Sequence, residues 1–554
     1  QQFTSDMRSG PVKRIEDVLT LRARQFREDM GPLSHPVRPD TYVEINNFYT
    51  ATIYEKGAEV IGMLKRLVGD EGYARALALY FTRHDGQAAT IEDWLKVFED
   101  ATGRDLGQFK RWYTDAGTPR LTVAEDWQHG TYTLTFTQTT PPTPGQDQKP
   151  PRVIPIAVGL LNPNGDEVLP TTILEMTESR QSFRFLATAD GWTLDTGNPD
   201  TMPERISGAV NVRPVPSILR DFSAPVVLER SVSPAERAFL LAHDTDPFNK
   251  WESGRALARE VLIGMVVADD EPSALLISAL EQVLTDESLD PAFRALCLRL
   301  PAADDLAHAL KDAGHVPDPG RIYIESRRLA HTMATRLEKP LAALYASLEG
   351  KGAFSPDAAS AGRRALRLAC LTYLNRLDAG GRAASLYASA TNMTEMQGAL
   401  ACLIDMGKGE AELRAFYERF KSNRLVIDKW FSLQALCAPP DRAAAVARQL
   451  SEHPDFDWKN PNRFRALLGG LSANHAGFHH ASGAAYDLYA DWLIRLDPVN
   501  PQTAARMSTA FETWARYDAP RQAKARDAMG RILATPTLSR DSAEMIGRLL
   551  QAAS

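Results

Sequence analysis

The residues of this chain whose chemistry could be put to use are its histidines, its cysteines and one crowded tyrosine segment. Two histidines four residues apart on a helix, with a glutamate beside the first, can hold zinc and supply a general base. Among the 11 histidines the one pair at that spacing is His475 and His479, in His475-Ala476-Gly477-Phe478-His479. Ala476 stands where the glutamate is needed, and Gly477 with the preceding Ser472-Ala473-Asn474 reads as loop. This predicts a surface loop carrying His475, His479 and His480, and no metal ligand. The 4 cysteines, Cys297, Cys370, Cys402 and Cys437, lie far apart in apolar, helix-like surroundings. Buried free thiols in a reducing compartment follow, and none has the exposed basic neighbourhood of a nucleophile. No GxSxG elbow, phosphate-binding glycine loop or dinucleotide fingerprint stands between a strand and a helix. The chain holds no complete catalytic constellation.

What it does hold is Tyr54, centred in the stretch 38–68, where polar residues crowd the start of an apolar helix. A tyrosine in the first turn projects from the end bearing the positive dipole, and its phenol can donate to a developing oxyanion. Asn46, Asn47 and Tyr49 just upstream add short polar groups and an aromatic surface. Taken alone, a tyrosine at a helix start is more often a half-buried packing residue.

The elements that must position these groups can be read in order. Residues 12–27 predict a helix opened by Pro11, and 31–39, with three prolines, a loop. The Tyr54 helix begins near Thr50 or Thr52, with Ile53, Val60, Ile61, Leu64, Leu67 and Val68 at helical spacing and Gly69 as its stop. Further helices follow at 73–82, at 91–100 behind the N-cap Thr90, and at 106–116. The period then changes to two. Tyr132, Leu134 and Phe136 alternate with threonines, 153–161 and the Phe183 and 210–215 regions add strands, and Asn164-Gly165 marks a turn, together a small β-sandwich. From Phe222 onward the chain reads as helical. Ser233-Pro234 with Glu236, Asp290-Pro291 and Ser355-Pro356 mark helix starts. Pro340 predicts a break in the stripe of Leu329, Met333, Leu337, Leu341 and Leu344. More than a dozen helices with no fixed period predict an irregular α-superhelix.

Length and composition fit several domains of an ordinary globular protein: 554 residues, 44% apolar and 24% charged. The net charge of -7, with both signs interspersed, argues against nucleic acid and anionic membranes as partners. No apolar run approaches the roughly 18 residues of a membrane span. The chain opens Gln1-Gln2-Phe3 with no initiator Met and no signal-like stretch, which predicts a cut N-terminus and, with the thiols, a cytoplasmic protein.

Ordered segments across the chain resemble the M1 family of zinc aminopeptidases. They are Met30-Gly31-Pro32-Leu33-Ser34-His35-Pro36-Val37-Arg38-Pro39, Glu44-Ile45-Asn46-Asn47-Phe48-Tyr49-Thr50 and Ile53-Tyr54-Glu55-Lys56-Gly57-Ala58-Glu59-Val60. Tyr80 to Gly86, Phe109-Lys110-Arg111-Trp112-Tyr113, Gly117-Thr118-Pro119, Asp221 to Val226, Asp428-Lys429-Trp430-Phe431 and Asn460-Pro461-Asn462-Arg463 continue the likeness. The resemblance implies a multidomain, mainly α architecture: 1–118 as the C-terminal helical part of a thermolysin-like catalytic domain, 119–220 as an Ig-like β-sandwich and 221–554 as an α-helical superhelix. It implies a peptide substrate, a monomer, and removal of N-terminal residues by zinc-assisted hydrolysis. Tyr54 would stabilise the tetrahedral oxyanion, Asn46 and Tyr49 would line the pocket for the first side chain, and Arg463 would face an internal channel. The zinc ligands and general base would precede Gln1, so the isolated chain is expected to bind no stoichiometric zinc and to be inactive. The alternative is a non-catalytic helical scaffold, derived from the family, that binds peptides or proteins.

Overall fold

The computed structural model describes residues 2–31, 34–40, 48–128, 130–188, 191–197, 212–350 and 352–551, with side chains from residue 9 in the first helix. It divides into two compact units, Gln1–Gly254 and Arg255–Ser554.

In the first unit, α1 (Gln2–Thr20) is interrupted at Ser9 (φ -144°, ψ 75°). Its regular part therefore starts where Pro11 occupies the first turn, a position at which the missing N–H costs nothing. It runs through a π turn (Leu21–Gln25) into α2 (Phe26–Met30), burying Ile15, Val18, Leu21 and Phe26. A second π turn (Thr52–Lys56) leads into α3 (Gly57–His84). Gly69 (φ 71°, ψ 168°) breaks α3 into two rods at the expected stop, in a conformation a side chain would strain. Val60, Met63 and Leu64 face inward, whereas Ile61 points outward. Thr90 caps α4 (Ile91–Thr102) in a reciprocal box with Asp93.

The helix expected over 106–116 shrinks to α5 (Arg111–Thr114). Asp105 takes the Gly107 N–H at 2.8 Å and holds the preceding residues in a turn. Phe109, Trp112 and Tyr113 remain buried there.

Beyond Gly117 the chain builds two sheets. The strands are β1 (Arg120–Gln128), β2 (Thr131–Thr139), β3 (Ile154–Leu161), β4 (Glu167–Met176), β5 (Arg180–Thr188), β6 (Gly191–Leu194), β7 (Val215–Ile218) and β8 (Val227–Glu229). Their orders are β6-β5-β2-β1-β8 and β4-β3-β7. Tyr132, Leu134 and Phe136 are fully buried as the alternation requires, while β3 is buried on both faces. The expectation of helix from Phe222 onward needs correction. The three residues of β8 first return to pair in parallel with β1, too short a run to show alternation. Residues 210 and 211 of the expected last strand lie outside the described residues. Ser233 caps α6 (Pro234–His243), but the Glu236 carboxylate binds Arg230 instead of closing a capping box.

The unit boundary falls inside α7 (Pro247–Ala268). The second unit is helical. Asp290 caps Pro291–Cys297 as expected. The cap expected at Ser355 belongs to Asp357, which accepts from the Ser360 N–H at 2.9 Å and opens Ala358–Leu374. The long stripe breaks at Leu337, between Pro319–Arg336 and Glu338–Ser347, because Pro340 has no N–H for the Arg336 carbonyl. Phe431, Phe464, Leu467, Tyr489, Phe511 and Trp514 belong to one apolar core. The four cysteines are free, and burial pushes Cys370 and Cys437 up to about 12 and Cys402 to about 11. No helix among the described residues is long and apolar enough to cross a membrane.

Candidate functional site

The Tyr54 helix presents opposite faces of very different character. Tyr54 is 56% exposed and Tyr49 59% exposed, with ring centroids 6.3 Å apart and planes at 27°. The Tyr54 ring is thus partly covered, against that of Tyr49, and the Tyr54 hydroxyl bonds to no described residue. Asn46 and Asn47 lie outside the described residues. The Tyr54 N–H donates to Thr50 O at 3.2 Å, and the Gly57 N–H reaches back five residues to Thr52 O, the bond that makes this turn π rather than α.

The inward face is tightly held. Glu28 Oε1 accepts from the Thr52 N–H at 2.9 Å and from the Thr52 hydroxyl, so a carboxylate on α2 satisfies a free donor at the helix start. His35 Nε2 bonds Thr50 Oγ1 at 2.8 Å, and Thr50 in turn accepts from the Ile53 N–H at 3.3 Å. Lys56 is 0% exposed. Its ammonium donates to Asp29 Oδ2 at 2.8 Å and to Gly117 O at 3.0 Å, while Thr118 donates to the same Asp29 oxygen at 2.8 Å. One turn on, Arg14 grips Glu59 through two bonds of 2.6 and 2.7 Å. Burial drives the Lys56 ammonium down to about 8 even with Asp29 beside it. Burial alone would raise Asp29, but the charge and hydrogen bond of Lys56 outweigh it and keep the carboxyl below its ordinary value.

The zinc that the resemblance implies finds no fitting donor set among the described residues. His475 and His479 do not sit in a surface loop. His475–Phe478 is a short helix, and His479 is only 4% exposed within an aromatic cluster. His475 Nε2 meets the Tyr517 hydroxyl at 2.9 Å, while His479 uses Nδ1 on Tyr486 at 2.7 Å and Nε2 on Thr513 at 3.4 Å. Burial lowers His475 to about 4 and His479 well below the ordinary value, so both rings are held neutral as packing and hydrogen-bonding groups. Among the described residues no group of three or more His, Cys, Asp or Glu could hold a metal ion.

Arg463, in the short helix Pro461–Phe464, is 5% exposed. Its guanidinium binds Asp428 and Asp455 O, reaches Arg424 O at 3.3 Å and lies 5.0 Å over the Phe431 ring. These contacts pin neighbouring helices of the second unit together.

Glu28, Asp29, Lys56 and Thr118 escaped the sequence reading as functional groups. The available signal was Lys56 itself, a cation on the inward face of an apolar helix.

Known families and proteins match this arrangement along the chain. A peptidase family M1 domain matches residues 2–113, a domain of unknown function (DUF3458) with an Ig-like fold matches 117–193, and a domain of unknown function (DUF3458_C) with ARM repeats matches 234–551. The chain is 41% identical to aminopeptidase N of Caulobacter vibrioides and 35% identical to that of Escherichia coli K12, in each case over 99% of its own length and 62% of the relative's. The chain thus spans 62% of these curated relatives. Legionella pneumophila aminopeptidase A, solved in complex with aspartic acid, superposes with a TM-score of 0.75 at 28% identity, over 96% of this chain and 62% of that one.

Proposed function

The chain belongs to the family described as DUF3458_C ARM repeats and carries an Ig-like segment and an M1 peptidase segment ahead of them, and from that premise we propose that it forms part of a zinc metalloaminopeptidase. The protein removes N-terminal amino acids from peptides in the cytoplasm and acts as a monomer. Residues 1–118 complete the catalytic domain, 119–220 form the sandwich and 221–554 the superhelix.

The observation that carries this reading is the phenol of Tyr54, exposed at a helix start whose other face is locked. A hydroxyl held ready before the reaction donates to the oxyanion as the scissile carbonyl becomes tetrahedral, and costs no reorganisation at that moment. Tyr49, stacked beside it, and Asn46 line the pocket for the substrate's first side chain. Arg463 belongs to the wall of the internal channel on the superhelix side. The zinc and the general base come from residues outside this chain, so the isolated 554 residues bind no stoichiometric zinc and cleave no substrate. Tyr54→Phe in the complete enzyme tests the assignment, because a group that acts only in the transition state changes kcat and leaves KM. Stoichiometric zinc and cleavage of an aminoacyl anilide by the isolated chain would contradict the division of labour.

A further inference from the structure

We infer that Asp29, Lys56 and Thr118 form a clamp that positions Tyr54 and makes the seam into the β-sandwich part of the active site. The inference rests on the assignment of Tyr54 as the oxyanion donor. The Tyr54 hydroxyl reaches no described hydrogen-bond partner, so the direction of the ring is set by the backbone of the π turn Thr52–Lys56 and by the stacked ring of Tyr49. Lys56 lies two residues on and points the opposite way, fully buried. Seating the Lys56 ammonium therefore fixes the turn from which the phenol projects.

The clamp joins four separate stretches of chain. Asp29, on α2, receives Lys56 and Thr118 on one carboxylate oxygen, both at 2.8 Å. Gly117 O receives Lys56 at 3.0 Å and also Arg152 Nη1 at 3.0 Å. Arg152 comes from the sandwich, just ahead of β3, and is 1% exposed. It donates as well to Asp115 O at 3.1 Å and Ala116 O at 2.7 Å, with its guanidinium 4.9 Å over Trp112. Gly117 carries φ 88°, and a Cβ there would press on Thr140 and Thr143. The seam is thus fixed from the sandwich side and handed to Tyr54 through one carbonyl and one carboxylate.

Stability alone is a poor reason for such a pair. An ammonium and a carboxylate removed from water are often no better than apolar side chains of the same volume, whereas they impose one geometry. Asp29, Lys56 and Thr118 are positioning residues in this account, since none of them faces the side on which Tyr54 is exposed.

The test uses the 554-residue chain labelled with 3-fluorotyrosine, which gives 15 fluorine signals. The signal of residue 54 is identified by its loss in Tyr54→Phe. Thr118→Val removes one hydrogen bond and no charge, and it is expected to shift or broaden the residue-54 signal while the signals of Tyr486 and Tyr489 stay in place. Thr118→Ser restores the original position. In the complete enzyme Thr118→Val lowers kcat about tenfold or more with KM within about twofold, and Thr118→Ser recovers it. Lys56→Met gives the larger effect of the same kind; if it does not fold, Thr118→Val decides. A folded Thr118→Val chain with an unmoved residue-54 signal overturns the clamp. Full turnover in Tyr54→Phe instead removes the catalytic assignment, and the fluorine measurement still judges the clamp by itself.

Discussion

Lys56 and Asp29 meet at 2.8 Å with both side chains closed off from water, on the face of the π turn opposite the exposed ring of Tyr54. A single turn thus carries a buried ion pair on one side and an exposed phenol on the other. Removing one member of such a pair leaves an uncompensated buried charge, which costs about 3–5 kcal/mol. Asp29→Ala should destabilise the chain by about that amount in urea unfolding. The double variant Asp29→Leu with Lys56→Met should regain most of the loss, because no charge then remains buried.

The clasp at Arg220 gives a second stability prediction. Its guanidinium is packed where a Cβ on Gly159 of β3 would lie, and it bonds Ser217 Oγ at 2.9 Å, Thr171 Oγ1 at 3.0 Å and Asp244 Oδ1 at 3.2 Å. Gly159→Ala must displace it and break bonds to a buried carboxylate. A loss of about 2 kcal/mol or more is expected by thermal unfolding. Thr171→Ser, which keeps the hydroxyl, should stay close to the parent.

The paired histidines set a pH dependence. Burial lowers His475 to about 4 in the fold against an ordinary 6.5, and lowers His479 well below its ordinary value. Between those values the unfolded chain holds protons that the folded chain does not, so unfolding is favoured as pH falls below about 6.5. Stability should fall by on the order of a few kcal/mol from pH 7.5 to pH 5, and the melting temperature with it. The drop should be smaller in His475→Gln. An unchanged pH slope in that variant would remove His475 from the explanation.

Much of this architecture was legible in the sequence, because burial imposes period. Tyr132, Leu134 and Phe136 announced β2, Gly69 and Pro340 announced breaks, and Thr90 announced a cap. What escaped carried a weak or short trace. β1 exposes all but one of its residues at least in part, β8 is three residues long, and the π turn at Tyr54 differs from an α turn by one hydrogen bond. The candidate site divides in the same way. Tyr54 stood out by its place at a helix start and by its motif, whereas the partners of Lys56 lie 27 and 61 residues away and only folding brings them together. His475 and His479 misled as a loop because glycine and alanine between them say nothing of the tyrosines that bury them.

Tyr54→Phe deletes one oxygen and keeps the ring. In the complete enzyme, kcat and KM for an aminoacyl anilide should be measured beside the parent at equal zinc content. A fall in kcat of about a hundredfold or more with KM within about threefold is expected on losing an oxyanion donor. Turnover within about twofold of the parent would contradict that role for Tyr54.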